Sequence, residues 1–191
     1  MAQHGGMAPA PGTYRISDIS PVEFSEALDL WVPVAYGSLI ETARRYNRLT
    51  TYLELTEHVQ DVSGVRTRML IGNWSGKLLE RVAQLAAGRG EVPLTSLCVH
   101  QDGTIGVGYL RAPKSVDVDP SADVDELAAA HRLLCYRKYA TDLPADGGKP
   151  ALTPKLAEAR ARRMATSRPP AKLCPEHFME LSVTGVCSLC D

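Results

Sequence analysis

Apolar residues in the N-terminal part of the chain recur at steps of three and four, the spacing that places side chains on one face of a helix. The pattern predicts a helix that begins at Ser20, because serine caps helix N-termini and a proline and a glutamate follow at suitable offsets. Pro33 is predicted to interrupt this helix, since proline has no backbone N–H to donate. A second helix is expected over residues 34–46.

Two further helices are marked more clearly. Thr51 and Glu54 stand at the spacing of a capping box, and Gly64 is a typical end for the helix that they begin. A longer helix is predicted over residues 67–87. Its apolar face would be formed by Leu70, Ile71, Trp74, Leu78, Val82 and Leu85.

The segment that follows carries the β signal of the chain. Residues 94–100 predict a strand, Asp102-Gly103 is a turn dipeptide, and residues 105–110 predict a returning strand. The sequence therefore predicts a hairpin over residues 94–110.

Composition divides the chain into four regions. The first residues are rich in Gly, Pro and Ala and are expected to be disordered. A helix is predicted over residues 124–140, and a polar Gly/Pro segment separates it from a short basic helix over residues 155–165. The predicted organisation is a disordered N-terminus over 1–13, a helical core domain over 14–141, a linker with a basic helix over 142–172 and a zinc knuckle over 173–191.

Three of the five cysteines and one histidine crowd into the C-terminal end of the chain. Cys174 and His177 form one pair with two residues between them, and Cys187 and Cys190 form another. Zinc takes four N or S ligands in a tetrahedron, and such pairs supply two ligands each, so we expect one structural Zn²⁺. Glu176 or water could replace His177, and an iron–sulfur cluster is an alternative that suits a set with one His less well.

Charge is unevenly distributed, although the formal net charge is only −1. Residues 1–148 carry 14 Lys/Arg and 18 Asp/Glu, residues 149–172 carry 7 and 1, and residues 173–191 carry 0 and 3. The basic segment favours a polyanionic partner, because Lys and Arg neutralise phosphates without regard to sequence. Its candidate phosphate contacts are Arg160, Arg162 and Arg163.

The predicted order of two helices and a hairpin is that of a winged-helix unit, in which the second helix can enter a DNA groove. The fold class expected is therefore α+β and mainly helical, with a winged-helix-like core and a C-terminal zinc knuckle. In this arrangement the side chains expected to meet DNA are Arg66, Arg68, Lys77 and Arg81.

Residues 50–110 resemble the DNA-binding part of the alkyltransferase-like proteins and their repair methyltransferase relatives. The resemblance is carried by Tyr52, Leu55, Arg66-Thr67-Arg68, Gly72, Pro93, Asp102-Gly103, Gly106 and Gly108. Leu94 stands where the family has its alkyl-accepting cysteine, so the resemblance implies DNA binding without alkyl transfer. The chain also resembles small bacterial and phage proteins with the same core and a terminal cysteine pair.

The function expected is non-enzymatic binding of nucleic acid, with duplex DNA as the favoured partner. A protein–protein adaptor or inhibitor is the alternative, and a non-catalytic subunit of a larger enzyme is a third possibility. The chain contains no P-loop, no G-x-S-x-G and no H-E-x-x-H motif. It has no apolar run of about 18 residues and no signal-peptide pattern at its start, so we expect a cytoplasmic protein.

Overall fold

The computed structural model describes residues 12–119, 121–166, 173–182 and 187–190. The chain divides into two compact units, residues 1–153 and residues 154–191. The described part has mixed α/β structure with five α-helices and two small two-stranded sheets. The elements are β1 (Thr13–Arg15), α1 (Phe24–Ala43), β2 (Thr50–Thr51), α2 (Tyr52–Ser63), β3 (Val65–Thr67), α3 (Ile71–Gly88), a 3₁₀ turn (Leu94–Leu97), β4 (Cys98–Val99), α4 (Val124–Tyr139) and, in the second unit, α5 (Pro154–Thr166).

A single helix, α1, replaces the two helices predicted on either side of Pro33. It begins at Phe24 rather than at Ser20, whose N–H and hydroxyl both donate to Asp18 Oδ1 in a preceding turn. The helix continues through Pro33 because the same face is buried on both sides of it. The buried residues of α1 are Ala27, Leu28, Trp31, Val32, Ala35, Leu39, Thr42 and Ala43.

The predicted capping box of α2 is confirmed. The Thr51 N–H donates to Glu54 Oε2 at 2.7 Å, and the Glu54 N–H donates to Thr51 Oγ1 at 3.2 Å. These reciprocal bonds satisfy two donors at the helix start. The helix ends at Gly64, whose φ of 69° lies in the left-handed region that glycine adopts without a steric penalty.

The third helix is shorter at its N-terminus than predicted. It begins at Ile71, and residues 65–67 instead form β3, which pairs antiparallel with β1 so that Arg66 lies opposite Tyr14. The Thr67 N–H donates to Gln60 Oε1 at 2.9 Å, which also holds the backbone extended. This non-local pairing overrides the local helical spacing, and Arg66 and Arg68 consequently precede the helix.

The hairpin predicted over residues 94–110 is wrong. Residues 94–97 form the 3₁₀ turn, β4 pairs in parallel with β2, and residues 105–110 follow turns rather than a strand. Side chains from Leu94 to Val99 are all buried, so the segment lacks the alternation of a half-exposed strand. Only the tight turn is retained, in which the His100 N–H donates to the Thr104 carbonyl at 2.9 Å.

The helix predicted over residues 124–140 is present as α4, and the Asp123 side chain caps it by accepting from the N–H groups of Asp125 and Glu126. This helix buries Arg132, whose guanidinium donates to the carbonyls of Ser96 and Ala151 at 3.3 and 3.2 Å. The Thr153 hydroxyl donates to the Gly103 carbonyl at 2.9 Å. Residues 142–153, predicted as the start of a linker, thus pack within the first unit.

Candidate metal centre and basic surfaces

The second unit begins with a basic helix, as predicted. α5 carries one acidic residue, Glu158, among its cations, and Arg162 and Arg163 are exposed while Arg160 is half-buried. Arg163 lies in the last turn, where a cation interacts favourably with the helix dipole. The helix therefore presents positive charge to solvent.

The four predicted metal ligands lie together. The side-chain ligand atoms of Cys174, His177, Cys187 and Cys190 are all within 4.8 Å of one another. Cys174 and Cys187 are buried, and His177 and Cys190 are exposed. No disulfide joins these cysteines, so all three thiols are free to act as ligands.

The spacing of these atoms fits a tetrahedral zinc site. Zn–S and Zn–N bonds of about 2.3 and 2.0 Å imply ligand edges of roughly 3.8 Å between sulfurs and roughly 3.6 Å between sulfur and nitrogen. The Cys174 and Cys190 sulfurs are 3.6 Å apart. His177 Nδ1 lies 3.8, 3.7 and 3.3 Å from the sulfurs of Cys174, Cys187 and Cys190.

The backbone turns back tightly at the first ligand pair. The Phe178 N–H donates to the Cys174 carbonyl at 2.9 Å, and the Cys174 N–H donates to the Met179 carbonyl at 2.8 Å. Phe178 takes a φ of 53°, which is costly for an aromatic residue. Residues 183–186, which precede the second ligand pair, lie outside the described residues.

The turn also favours the thiolate that a metal requires. Hydrogen bonds from the backbone N–H groups of His177 and Glu176 lower the pKa of Cys174 to about 6. A hydrogen bond with Cys174 raises the pKa of Cys190 to about 11. The first thiolate therefore forms at Cys174, and a cation at the centre of the cluster would draw the remaining protons away.

Two of the four cations predicted to contact DNA from the first unit are paired with carboxylates. Arg66 pairs with Asp61, and Arg81 pairs with Asp29 at 2.6 Å. These carboxylates reduce the local positive potential. The other two cations lie over aromatic rings, with Arg68 5.0 Å from the centroid of Tyr14 and Lys77 5.8 Å from that of Phe24.

A second candidate site was not predicted from the sequence. A cavity of about 640 Å³ in the first unit is lined by the start of α3, by Tyr52 and His100, and by the segment 105–112. It depends on contacts between distant parts of the chain and has no local motif. A sequence signal for this site is limited to Thr95, a polar residue within the mostly apolar run 93–99.

Comparison with known proteins adds no assignment. No protein-family model, no curated protein and no solved structure matches this chain. Within the described ranges, none of the helices combines the length and the apolar character needed to cross a bilayer.

Proposed function

We propose that the chain is a non-enzymatic protein that binds duplex DNA, and that its C-terminal unit supplies the main contact. The observation that carries the proposal is the presence of a Cys₃His cluster and an arginine-rich helix in one compact unit. Zinc would fix the shape of the module, and the helix would supply the charge.

The proposed metal is a structural Zn²⁺ held by Cys174, His177, Cys187 and Cys190. Four protein ligands fill the tetrahedron and leave no position for water, so the ion would not act as a Lewis acid catalyst. Among the described residues of the module only Leu156, Cys174 and Cys187 are buried, so metal binding would supply much of its folding free energy.

The proposed DNA contact is electrostatic. Arg162 and Arg163 project into solvent from the last turns of α5, and Arg160 lies one turn earlier. Each phosphate neutralised releases a condensed counterion, so affinity should fall steeply with salt. A contact through the first unit would contribute less affinity, because residues 94–110 do not form a hairpin and the Arg66 and Arg81 charges are already paired.

A salt series tests this function. Fluorescence anisotropy with labelled duplex DNA and zinc-loaded protein should give a log-log slope that becomes shallower by about 2 to 3 when Arg160, Arg162 and Arg163 are replaced by Ala. The matched control replaces three exposed arginines of the first unit, Arg44, Arg45 and Arg48, and should leave the slope near that of the wild type.

Absence of duplex binding at low salt by zinc-loaded protein would overturn the DNA proposal. If the control variant reduced the salt dependence of binding by the same amount, the phosphate contacts would have to be assigned to the first unit. Equal binding of single-stranded DNA would keep the phosphate contact but remove the preference for duplex.

A second candidate function is that of a protein–protein adaptor. It is favoured by one specific observation, the exposed apolar side chains of the second unit. These are Met164, Leu173, Phe178, Met179 and Leu189, with exposed fractions between 46% and 78%. Exposed apolar side chains of this kind are the groups that a protein-binding surface uses. Salt-insensitive binding to a protein partner, without DNA affinity, would support this alternative.

A further inference from the structure

The cavity of the first unit has the size and the walls of a small-molecule site. Its volume of about 640 Å³ lies within the range of roughly 300 to 1,000 Å³ that ligand pockets occupy. One wall is the stacked pair of Tyr52 and His100, whose ring centroids are 4.6 Å apart with an interplanar angle of 17°. Gly106 packs against this wall so closely that a methyl group on it would collide with the Tyr52 hydroxyl.

The N-terminus of α3 borders the same cavity through Gly72 and Asn73. No side chain caps this helix, and its first turn has no acidic residue. The Asn73 N–H donates to the Leu70 carbonyl at 2.9 Å, whereas the N–H groups of Ile71 and Gly72 have no partner among the described residues. A helix start with free N–H groups and the positive end of an 18-residue helix favours an anion.

Two buried hydroxyl-bearing residues line the cavity and have no protein partner. Ser75 and Thr95 are each only 5% exposed. Neither hydroxyl makes a hydrogen bond with any residue that the structure describes. A hydroxyl that lies at a cavity wall without a protein partner is available to hydrogen-bond a ligand, as donor and as acceptor.

The charged side chains around the cavity favour the same ligand chemistry. Lys77 and Arg111 line it as cations, His100 adds a third basic group, and Glu80 contributes one negative charge. The Arg111 guanidinium forms no ion pair within the described ranges. The remaining lining is mostly apolar and includes Ile105. An apolar wall favours a ligand whose second part is a flat ring over a ligand whose second part is charged.

We propose that this cavity binds a small phosphorylated molecule that carries a flat ring, the chemistry of a mononucleotide. The phosphate would lie at the start of α3 near Arg111, and the ring would lie along the Tyr52 wall. The hydroxyls of Ser75 and Thr95 would hydrogen-bond polar atoms of the ligand. This site is separate from the C-terminal unit and does not depend on the DNA proposal.

Isothermal titration calorimetry of the full chain with AMP, GMP, CMP and UMP tests the site, with adenosine and inorganic phosphate as half-ligands. We expect at least one mononucleotide to bind with a Kd below about 1 mM, and each half-ligand to bind about tenfold more weakly or worse. Arg111→Ala should weaken binding about tenfold, because it removes a charge-assisted contact. Arg45→Ala, an exposed arginine outside the cavity lining, is the matched control and should not change the Kd.

Thr95→Val separates a ligand contact from a structural role. The substitution keeps the shape and removes a hydroxyl without a protein partner, so the melting temperature should stay constant or rise. Affinity for the mononucleotide should nevertheless fall about threefold to tenfold.

Failure of all four mononucleotides to bind would overturn the proposal, as would unchanged affinity in Thr95→Val and Arg111→Ala. Binding of duplex DNA through Arg111 without any mononucleotide binding would also overturn it, and would make the cavity part of a nucleic-acid surface. Loss of DNA binding in the α5 arginine variant alone would leave this site untouched, so the two proposals fail independently.

Discussion

Trp31 and Trp74 pack against each other in the core of the first unit, with ring centroids 4.6 Å apart and an interplanar angle of 39°. Both are almost completely buried. The Trp31 Nε1–H donates to the Val65 carbonyl at 3.0 Å, whereas Trp74 Nε1 has no hydrogen-bond partner within the described residues. The two indoles thus make similar apolar contacts, but only the Trp31 N–H has a hydrogen-bond acceptor among the described residues.

This difference predicts unequal costs for the same substitution. Trp31→Phe loses apolar contact and leaves the Val65 carbonyl without its indole donor, while Trp74→Phe loses contact but removes an unpaired N–H. We expect Trp31→Phe to lower the free energy of unfolding by roughly 1 to 2 kcal/mol more than Trp74→Phe. Urea unfolding followed by circular dichroism measures both, and equal costs would contradict the proposed role of the Val65 contact.

Tyr109 and His131 form a second buried pair, with the Tyr109 hydroxyl 2.7 Å from His131 Nδ1. Burial, assisted by the positive charge of Lys114, lowers the pKa of His131 to about 4. Burial also raises the pKa of Tyr109, which therefore keeps its proton. Both groups are therefore neutral at pH 7, and one proton is shared between the Tyr109 oxygen and His131 Nδ1 in this hydrogen bond.

The His131 pKa makes stability depend on pH. Between the unfolded value of 6.5 and the folded value of about 4, only the unfolded chain takes up the proton. The free energy of unfolding therefore has its full value above pH 6.5 and decreases as the pH falls from 6.5 to about 4. The total decrease is on the order of 3 kcal/mol. NMR titration should show His131 ring resonances that stay constant from pH 7 to about 5, and a midpoint near 6.5 would contradict the assignment.

The features that sequence could predict are set by residues close to one another in the chain. The Thr51–Glu54 capping box requires only four consecutive residues, and it forms as the spacing indicates. The two predicted ligand pairs are likewise recognisable from ligand chemistry, and their side-chain ligand atoms all lie within 4.8 Å of one another. In both cases the physical requirement is written in the local sequence.

The features that sequence could not predict depend on distant partners. The strand over 65–67 exists because β1 lies beside it, and β4 pairs with β2 across nearly fifty residues. Local spacing favours a longer α3 and a hairpin, and these pairings override it. The prediction that Pro33 interrupts the helix is wrong for a similar reason. Burial of α1 on both sides of the proline outweighs one missing hydrogen bond.

Two glycines should respond in opposite directions to alanine. Gly37 is exposed in the middle of α1, where an added methyl group would meet no atom within 4 Å, so Gly37→Ala should stabilise the protein by about 0.5 to 1 kcal/mol. Gly64 holds a φ of 69° at the end of α2, so Gly64→Ala should destabilise by about 1 kcal/mol. Thermal unfolding tests both, and stabilisation by Gly64→Ala would contradict the left-handed cap.

The Cys₃His cluster gives a prediction about the metal content of the protein. Purified protein should contain one zinc per chain, measured by inductively coupled plasma mass spectrometry after gel filtration. Cys187→Ser should reduce this content at least tenfold, because it removes a buried thiolate ligand. Glu176→Gln is the matched control within the same turn, and its zinc content should equal that of the wild type if the carboxylate is not a ligand.

Removal of the metal should then affect the second unit selectively. Because the four ligands all belong to residues 154–191, chelation should expose sites within 173–190 to limited proteolysis while the main thermal transition of the first unit persists. A zinc content of zero in protein that resists proteolysis at these residues would show that the module folds without metal. Loss of zinc in Glu176→Gln, with retention when His177 is replaced by Ala, would instead assign the fourth ligand to the carboxylate.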